Sequence, residues 1–151
     1  MGTRSLTFVY ETRKDEAGNL VHTPIINMYR QYDGYPSGHG AELAEFLAPF
    51  RVVNGLTNTT EKIANGMGCL AGQLVAHFKV GAGQFYLEPV TATECGQDYE
   101  YHVYENAERE LCVRVTDRGC NMFGLTMSDT NESLFDGPIV RFEEFCAEGD
   151  E

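Results

Sequence analysis

The sequence lacks long hydrophobic runs and any export signal. Its 151 residues contain no window that approaches the roughly 18 consecutive apolar residues of a membrane-spanning helix. The amino terminus lacks the order of basic, apolar and small residues that marks a secretory signal. We therefore expect a cytoplasmic protein with no membrane partner.

Basic residues are scarce as well. Lys and Arg number 11 against 23 Asp and Glu, a net charge of −12. Because nucleic-acid affinity is built from cationic contacts to phosphates, we expect no direct binding to nucleic acid. Residues 101–151 alone carry 4 basic and 12 acidic side chains. This excess is typical of a solvated surface. The alternative is a nucleic-acid mimic that occupies a basic groove of a host enzyme through Glu143, Glu144 and Glu148.

Metal and cofactor motifs are missing. The five cysteines form no C-x-x-C pair, which disfavours a structural zinc site, and we predict no metal. The glycines match neither a P-loop nor a dinucleotide-binding fingerprint, and we predict no cofactor. The cysteines are interpreted as reduced thiols, several of them buried as small apolar residues.

The first half of the chain predicts a hairpin followed by two helices. Apolar alternation over residues 6–10 and an apolar run over 24–29 flank a polar tip, which indicates paired strands. Helical spacing of apolar residues over 43–50 and again over 67–78 predicts two short amphipathic helices. We expect one globular domain over residues 1–147, followed by an acidic tail over 148–151.

The second half changes to a period of two. Residues 85–87 predict a strand, and residues 99–104 and 111–115 predict a second hairpin. Further strands are predicted at 122–127 and, after Gly137-Pro138, around Val140 and Phe142. The expected fold class is α+β, a mostly antiparallel sheet built from hairpins with two short helices packed on one face. Its hairpin edges could pair in a homo-oligomer.

The loop at residues 30–40 combines groups that bind ligands. Tyr32 and Tyr35 could stack on a ring, Asp33 could accept hydrogen bonds from hydroxyls, and His39 could exchange a proton. The loop leads into a helix amino terminus, which attracts anions. The alternative is a purely structural loop, in which Asp33 makes a turn and Tyr35 packs. The candidate ligand-binding residues are Arg30, Tyr32, Asp33, Gly34, Tyr35, Ser37, Gly38 and His39.

The Thr3-Arg-Ser5 start and the loop Tyr29-Arg-Gln-Tyr-Asp-Gly-Tyr-Pro-Ser-Gly-His-Gly40 resemble a family of small proteins of bacteriophages, other large DNA viruses and some bacteria. Members pair a Thr-Arg-Ser start with an aromatic-Asp-Gly-Tyr-Pro loop, and the resemblance covers roughly residues 2–105. The family has no established activity, so the resemblance implies a shared fold and a phage-type origin but no catalytic residues. Arg4 joins the candidate residues, because pairing of the first two strands would place it near Asp33.

A phage-type origin favours a binding role over a catalytic one. Many small acidic phage proteins act on the host, by occupying a defence enzyme or by sequestering its nucleotide signal. By analogy we expect an accessory protein in the host cytoplasm whose partner is a small-molecule ligand, such as a nucleotide, or a host protein.

The enzymatic alternative is a cysteine hydrolase or transferase. Cys69 follows Gly66-Met67-Gly68 at the start of a predicted helix, a location where reactive thiols are activated. His102, on a predicted strand, could act as its base. The structural interpretation of Cys69 is a small core residue beside the apolar stripe of the helix.

Overall fold

Two antiparallel hairpins form the centre of the main sheet. The structure is a computed structural model that describes residues 2–53, 62–119 and 132–148. Its strands are β1 (Ser5–Lys14), β2 (Leu20–Arg30), β3 (Arg51–Val53), β4 (Ile63–Asn65), β5 (Phe85–Glu88), β6 (Tyr99–Glu105), β7 (Leu111–Asp117) and β8 (Glu132–Pro138). Its helices are α1 (Ala41–Leu47), α2 (Gly66–Phe78) and α3 (Ile139–Ala147), and a π-helical turn, Pro36–Gly40, precedes α1.

The strand order of the main sheet is β5-β2-β1-β6-β7-β8. Every neighbouring pair is antiparallel except β1 and β6, which run parallel and join the two hairpins. Strands β3 and β4 form a separate parallel pair. The predicted α+β class with a mostly antiparallel sheet is confirmed, and so are both predicted hairpins and the strand at β5.

Each hairpin is closed by an amide or carboxylate side chain that satisfies free backbone donors. The Asp15 carboxylate accepts hydrogen bonds from the amides of Ala17 and Asn19, at 2.9 and 2.8 Å. The Asn106 side-chain oxygen accepts from the amides of Glu108 and Glu110 in the same way. These local bonds explain why the polar sequences between the strands turn where they do.

The two faces of the main sheet differ because side chains alternate along each strand. On one face, Val9, Tyr101, Val103 and Val113 pack in a single core with the three helices, through side chains that include Leu43, Leu47, Leu70, Leu74 and Phe142. Along β6, Glu100, His102 and Tyr104 therefore point to the opposite face, which we call the open face. No helix in the described ranges is long and apolar enough to cross a membrane.

The prediction was wrong at the carboxyl-terminal element. Val140 and Phe142 lie on α3 rather than on a strand. The buried residues Ile139, Phe142 and Cys146 have helical spacing, whereas Val140 is 68% exposed. The strand in this region is β8, which ends at Pro138 where the predicted strand was to begin. Within the described ranges, three helices rather than two therefore pack on the sheet. The strand predicted at 122–127 and residues 149–151 of the predicted tail over 148–151 lie outside the described residues.

Candidate ligand site on the open sheet face

His39 in the loop at residues 30–40 is built into the core. It is fully buried, with Nδ1 3.0 Å from the Arg30 guanidinium and Nε2 2.8 Å from Thr7 Oγ1. Because a guanidinium only donates, Nδ1 must accept and Nε2 must carry the proton. Burial, followed by the charge of Arg30, lowers the pKa of His39 to about 3. His39 is therefore neutral at physiological pH, and both of its nitrogens are occupied.

The glycines of this loop are explained by close packing. The Gly34 carbonyl accepts a 2.7 Å hydrogen bond from the Tyr101 hydroxyl, and a Cβ on Gly34 would lie 2.9 Å from the backbone of Arg4. A Cβ on Gly38 would lie 2.6 Å from the Asp33 carbonyl oxygen. Both distances are shorter than a side-chain carbon allows. Close packing therefore accounts for both glycines without a bound ligand.

The loop leaves three predicted residues at the surface. Tyr32 is 53% exposed, and Asp33 and Ser37 are exposed as well. Tyr35 is half-buried, and its hydroxyl lies 3.4 Å from the Asp33 carboxylate. Arg30 is buried and donates to the Tyr32 carbonyl and to Glu42.

Arg4 does not meet Asp33 as predicted. Its guanidinium lies beside Gly96, and its backbone amide donates to the Asp98 carboxylate. The Arg4 carbonyl accepts from the amides of Asp98 and Tyr99, which extends the pairing of β1 with β6, and the Arg4 side chain lies against that segment rather than against Asp33.

A richer set of polar groups lies on the open face. The strand register aligns Phe8, His102, Arg114 and Asp136 in one row across β1, β6, β7 and β8. Around this row is a cavity of about 380 Å³, which we call the open-face pocket. Its lining residues are Tyr10, His22, His102, Tyr104, Arg114 and Asp136.

A chain of hydrogen bonds runs through His102. The Tyr10 hydroxyl lies 2.7 Å from His102 Nδ1, and His102 Nε2 lies 3.2 Å from Glu100 Oε1. An ionised carboxylate only accepts, so Nε2 carries a proton, and Nδ1 of the neutral ring accepts from Tyr10. The Phe8 ring stacks on the imidazole at 5.3 Å between centroids, which fixes the plane of the ring.

Glu100 is held in its ionised form. Burial acts to raise its pKa, but hydrogen bonds from His102, Gln97 and Arg118 outweigh burial and lower the pKa to about 2. Arg118 is itself largely buried and bridges Glu100 at 2.5 Å and Glu94 at 2.8 Å. The carboxylate can therefore orient His102 at every physiological pH.

The phenol groups of the pocket are protonated. Burial, followed by the charge of Glu100, raises the pKa of Tyr10 to about 12, against a smaller lowering by Arg114. Burial and the Asp136 carboxylate raise the pKa of Tyr104, whose hydroxyl donates to Asp136. Each hydroxyl therefore keeps its one proton, which Tyr10 donates to His102 and Tyr104 donates to Asp136.

Arg114 is the available cation of the pocket. Among the described residues, its guanidinium makes no hydrogen bond or ion pair, although it lies between His102 and Asp136 in the row. By contrast, a cavity of about 490 Å³ near the loop contains Arg30, whose charge is already matched by Glu42. The open-face pocket is therefore better suited to an anion.

A second cavity of about 410 Å³ adjoins the open-face pocket. The two share Tyr10, His102 and Arg114, so these three residues stand at the junction. Thr116 also lines the second cavity, and its buried hydroxyl has no hydrogen-bond partner within the structure described. Together the cavities can accommodate a ligand with two substituents around one anionic group.

Cys69 and His102 are not brought together. Cys69 is exposed on α2, where its sulfur accepts from Gln73. Helix α2 packs on the helical face of the sheet through Leu70 and Leu74, whereas His102 lies on the open face. The sheet separates the two residues, so the pairing expected for a cysteine hydrolase is absent.

Only His102 of the sequence-predicted residues lines the open-face pocket. Tyr10, His22, Tyr104, Arg114 and Asp136 were missed, because they come from five strands whose register is not evident from the sequence. One signal in the sequence could have indicated this pocket. It is the second face of β6, where Glu100, His102 and Tyr104 alternate with the apolar positions.

Within residues 2–53, 62–119 and 132–148, no group of three His, Cys, Asp or Glu side chains is arranged to hold a metal ion. No protein-family model matches the chain, and neither a curated protein nor a solved structure shows a match to it.

Proposed function

We propose that this protein binds a small ligand that combines a planar ring with an anionic group, such as a nucleotide, in the open-face pocket. The observation that carries the proposal is the guanidinium of Arg114, which has no hydrogen-bond or ion-pair partner in the part of the chain that the structure describes and lines the pocket beside the rings of Tyr10, His22 and Tyr104. A guanidinium binds phosphate through paired, charge-assisted hydrogen bonds. The ring faces offer a surface on which a base can stack.

The dimensions of the pocket support a ligand of this size. Its volume of about 380 Å³ lies within the range of small-molecule sites. The rings of His22 and Tyr104 meet edge to face at 5.3 Å, and His22 is held by a 2.8 Å hydrogen bond to Thr12. The aromatic wall is therefore oriented before a ligand arrives, which lowers the entropy lost on binding.

The family resemblance supplies the biological setting of the proposal. A phage-type accessory protein that sequesters a nucleotide signal would act on the host without needing catalysis. The acidic surface would discourage adsorption to nucleic acid, while Arg114 retains a local attraction for a single phosphate group.

Isothermal titration calorimetry with AMP, GMP, CMP, UMP and TMP tests the proposal. We expect binding of at least one nucleotide, weakened about 10- to 100-fold by Arg114→Gln, because a hydrogen-bonded charge is lost. Arg141→Gln is the matched control, since Arg141 is exposed on α3. If Tyr32→Ala or Asp33→Ala abolishes binding while Arg114→Gln does not, the ligand lies on the loop and the proposed site is wrong.

The exposed acidic side of α3 supports a second candidate function. Glu143, Glu144 and Glu148 are all exposed there. A mimic of nucleic acid would use these charges to occupy a basic groove of a host enzyme. Competition with DNA for such an enzyme should weaken as salt rises and should be lost when the three glutamates are changed to glutamine.

A further inference from the structure

The hydrogen-bond chain on the open face has the geometry of an activated nucleophile. A hydroxyl oxygen, that of Tyr10, lies 2.7 Å from an imidazole nitrogen, and the other nitrogen of that ring is held by a buried carboxylate at 3.2 Å. Nucleophile, base and orienting carboxylate in this order are the signature of covalent catalysis on unrelated folds.

Neighbouring contacts fix this chain in place. Phe8 stacks on His102 with only 4° between the ring planes, and Arg118 and Gln97 donate to Glu100. Tyr10 lines both cavities of the open face, so its hydroxyl stands where a ligand can reach it. Arg114, opposite His102 in the register, supplies a positive charge at the same junction.

We propose that the open-face pocket is also a catalytic site, with Tyr10 as the nucleophile, His102 as its general base and Glu100 as the residue that positions His102, and that its substrate class is the nucleoside phosphodiesters. The inference rests on the proposed function, because it needs the phosphate to bind at Arg114. A phosphodiester fits the junction, since its two ester substituents can occupy the two adjoining cavities.

The reaction proceeds in two displacements. In the first, the Tyr10 oxygen attacks phosphorus as its proton moves to His102 Nδ1, and the bond from phosphorus to the leaving oxygen breaks. The leaving oxygen takes the proton from Nδ1. In the second, water loses a proton to His102 and attacks the phosphorus, the bond from phosphorus to the Tyr10 oxygen breaks, and His102 returns the proton to that oxygen, which releases a nucleoside monophosphate and restores Tyr10. One water is consumed per turnover, and Arg114 stabilises the charge on the phosphoryl oxygens.

The test uses thymidine 5′-(p-nitrophenyl phosphate) as the probe. The wild-type protein should release p-nitrophenolate, and rapidly quenched samples should carry a thymidylyl adduct that peptide mass spectrometry assigns to Tyr10. Tyr10→Phe should abolish both signals, and His102→Asn should lower kcat by about 10²- to 10⁴-fold. Tyr86→Phe, on the exposed edge strand β5, should leave both signals unchanged.

The positioning role of Glu100 is tested by separating kcat from KM. Glu100→Gln should lower kcat and leave the KM for the probe within about threefold, because the tautomer and orientation of His102 are disturbed while Arg114 is not. A loss of kcat that is fully accounted for by a fall in the folded fraction, which leaves KM unchanged, would instead indicate a structural role and would overturn this assignment. Thermal unfolding of each variant measures that fraction.

The binding measurement separates the failure of this inference from that of the proposed function. If TMP binds the wild-type protein but neither nitrophenolate nor adduct forms, the catalytic inference is overturned and ligand binding stands. If TMP and the other nucleotides do not bind and the probe is not cleaved, both are overturned. Release of nitrophenolate that persists in Tyr10→Phe would also overturn the inference.

Discussion

His39 Nε2 donates a hydrogen bond to Thr7 Oγ1 over 2.8 Å and thereby joins the π-helical turn to β1, one of the two central parallel strands. The other ring nitrogen accepts from Arg30 on β2. The ring also lies within 5.2 Å of Phe78 on α2 and 5.0 Å of Tyr101 on β6, measured between centroids. One neutral imidazole therefore connects four elements of the core, and its protonation is incompatible with that position.

Stability should decrease as the pH falls below about 6.5 because of His39. Its pKa is about 3 in the folded protein against 6.5 when exposed, so the unfolded state binds one more proton between these values. The free energy of unfolding should then fall by about 1.4 kcal/mol per pH unit across that window. Urea unfolding at pH 7, 6 and 5 measures this slope, before the lowered pKa of Glu100 contributes below about pH 4.5.

His39→Gln provides the control for this slope. Glutamine retains an amide donor and cannot take up a proton in this range, so the variant should be less stable at pH 7 but nearly independent of pH between 7 and 5. If the wild-type protein and the variant lose stability in parallel, another group is responsible.

Two glycine-to-alanine changes should have opposite effects on stability. At Gly38 the new Cβ would collide with the Asp33 carbonyl, so Gly38→Ala should destabilise the protein by about 1–3 kcal/mol. At Gly72, inside α2 and exposed, nothing lies within 4 Å of the new carbon. Gly72→Ala should therefore stabilise it by about 0.5–1 kcal/mol through helix propensity. Chemical denaturation of both variants measures the sign of the change in the free energy of unfolding.

The hairpins and the first two helices could be predicted because their signals are local. Alternation along β1 and β6, polar turns at Asp15 and Asn106, and helical spacing around Leu70 each depend on short stretches of sequence. Helix α3 could not be recognised in this way. Val140 and Phe142 also fit a period of two, and only packing against the sheet shows that Cys146 completes a helical stripe.

The candidate site was harder to predict because it depends on register. Tyr10 and His102 are separated by 92 positions and meet only because β1 pairs with β6 in parallel. The composition of the loop at residues 30–40 predicted ligand binding. The same composition also fits a loop that packs on the sheet through buried residues, among them Gly34 and His39. Glycine, histidine and aspartate serve tight packing as readily as ligand binding.

Thiol reactivity should separate Cys69 from the buried cysteines. Cys69 is exposed, whereas Cys112 and Cys146 are each only 2% exposed, and burial raises the pKa of the Cys112 thiol. Brief treatment with iodoacetamide should alkylate Cys69 well before these two, as followed by peptide mass spectrometry. Cys69→Ala should not change nucleotide binding, since the sheet separates this residue from the open face. A loss of binding would instead indicate that the Cys69 thiol takes part in the ligand site.

The ion pair between Arg118 and Glu100 should be strongly coupled, because both side chains are nearly buried, at 10% and 11% exposure. Removing one partner leaves the other charge buried, so Arg118→Gln and Glu100→Gln should each destabilise the protein by about 3 kcal/mol. The double variant leaves no buried charge from this pair and should lose less than the sum of the two single changes. Arg13→Gln, on the exposed end of β1, should have little effect. Urea unfolding of the four variants completes the cycle, and strictly additive losses would show that the pair is not coupled.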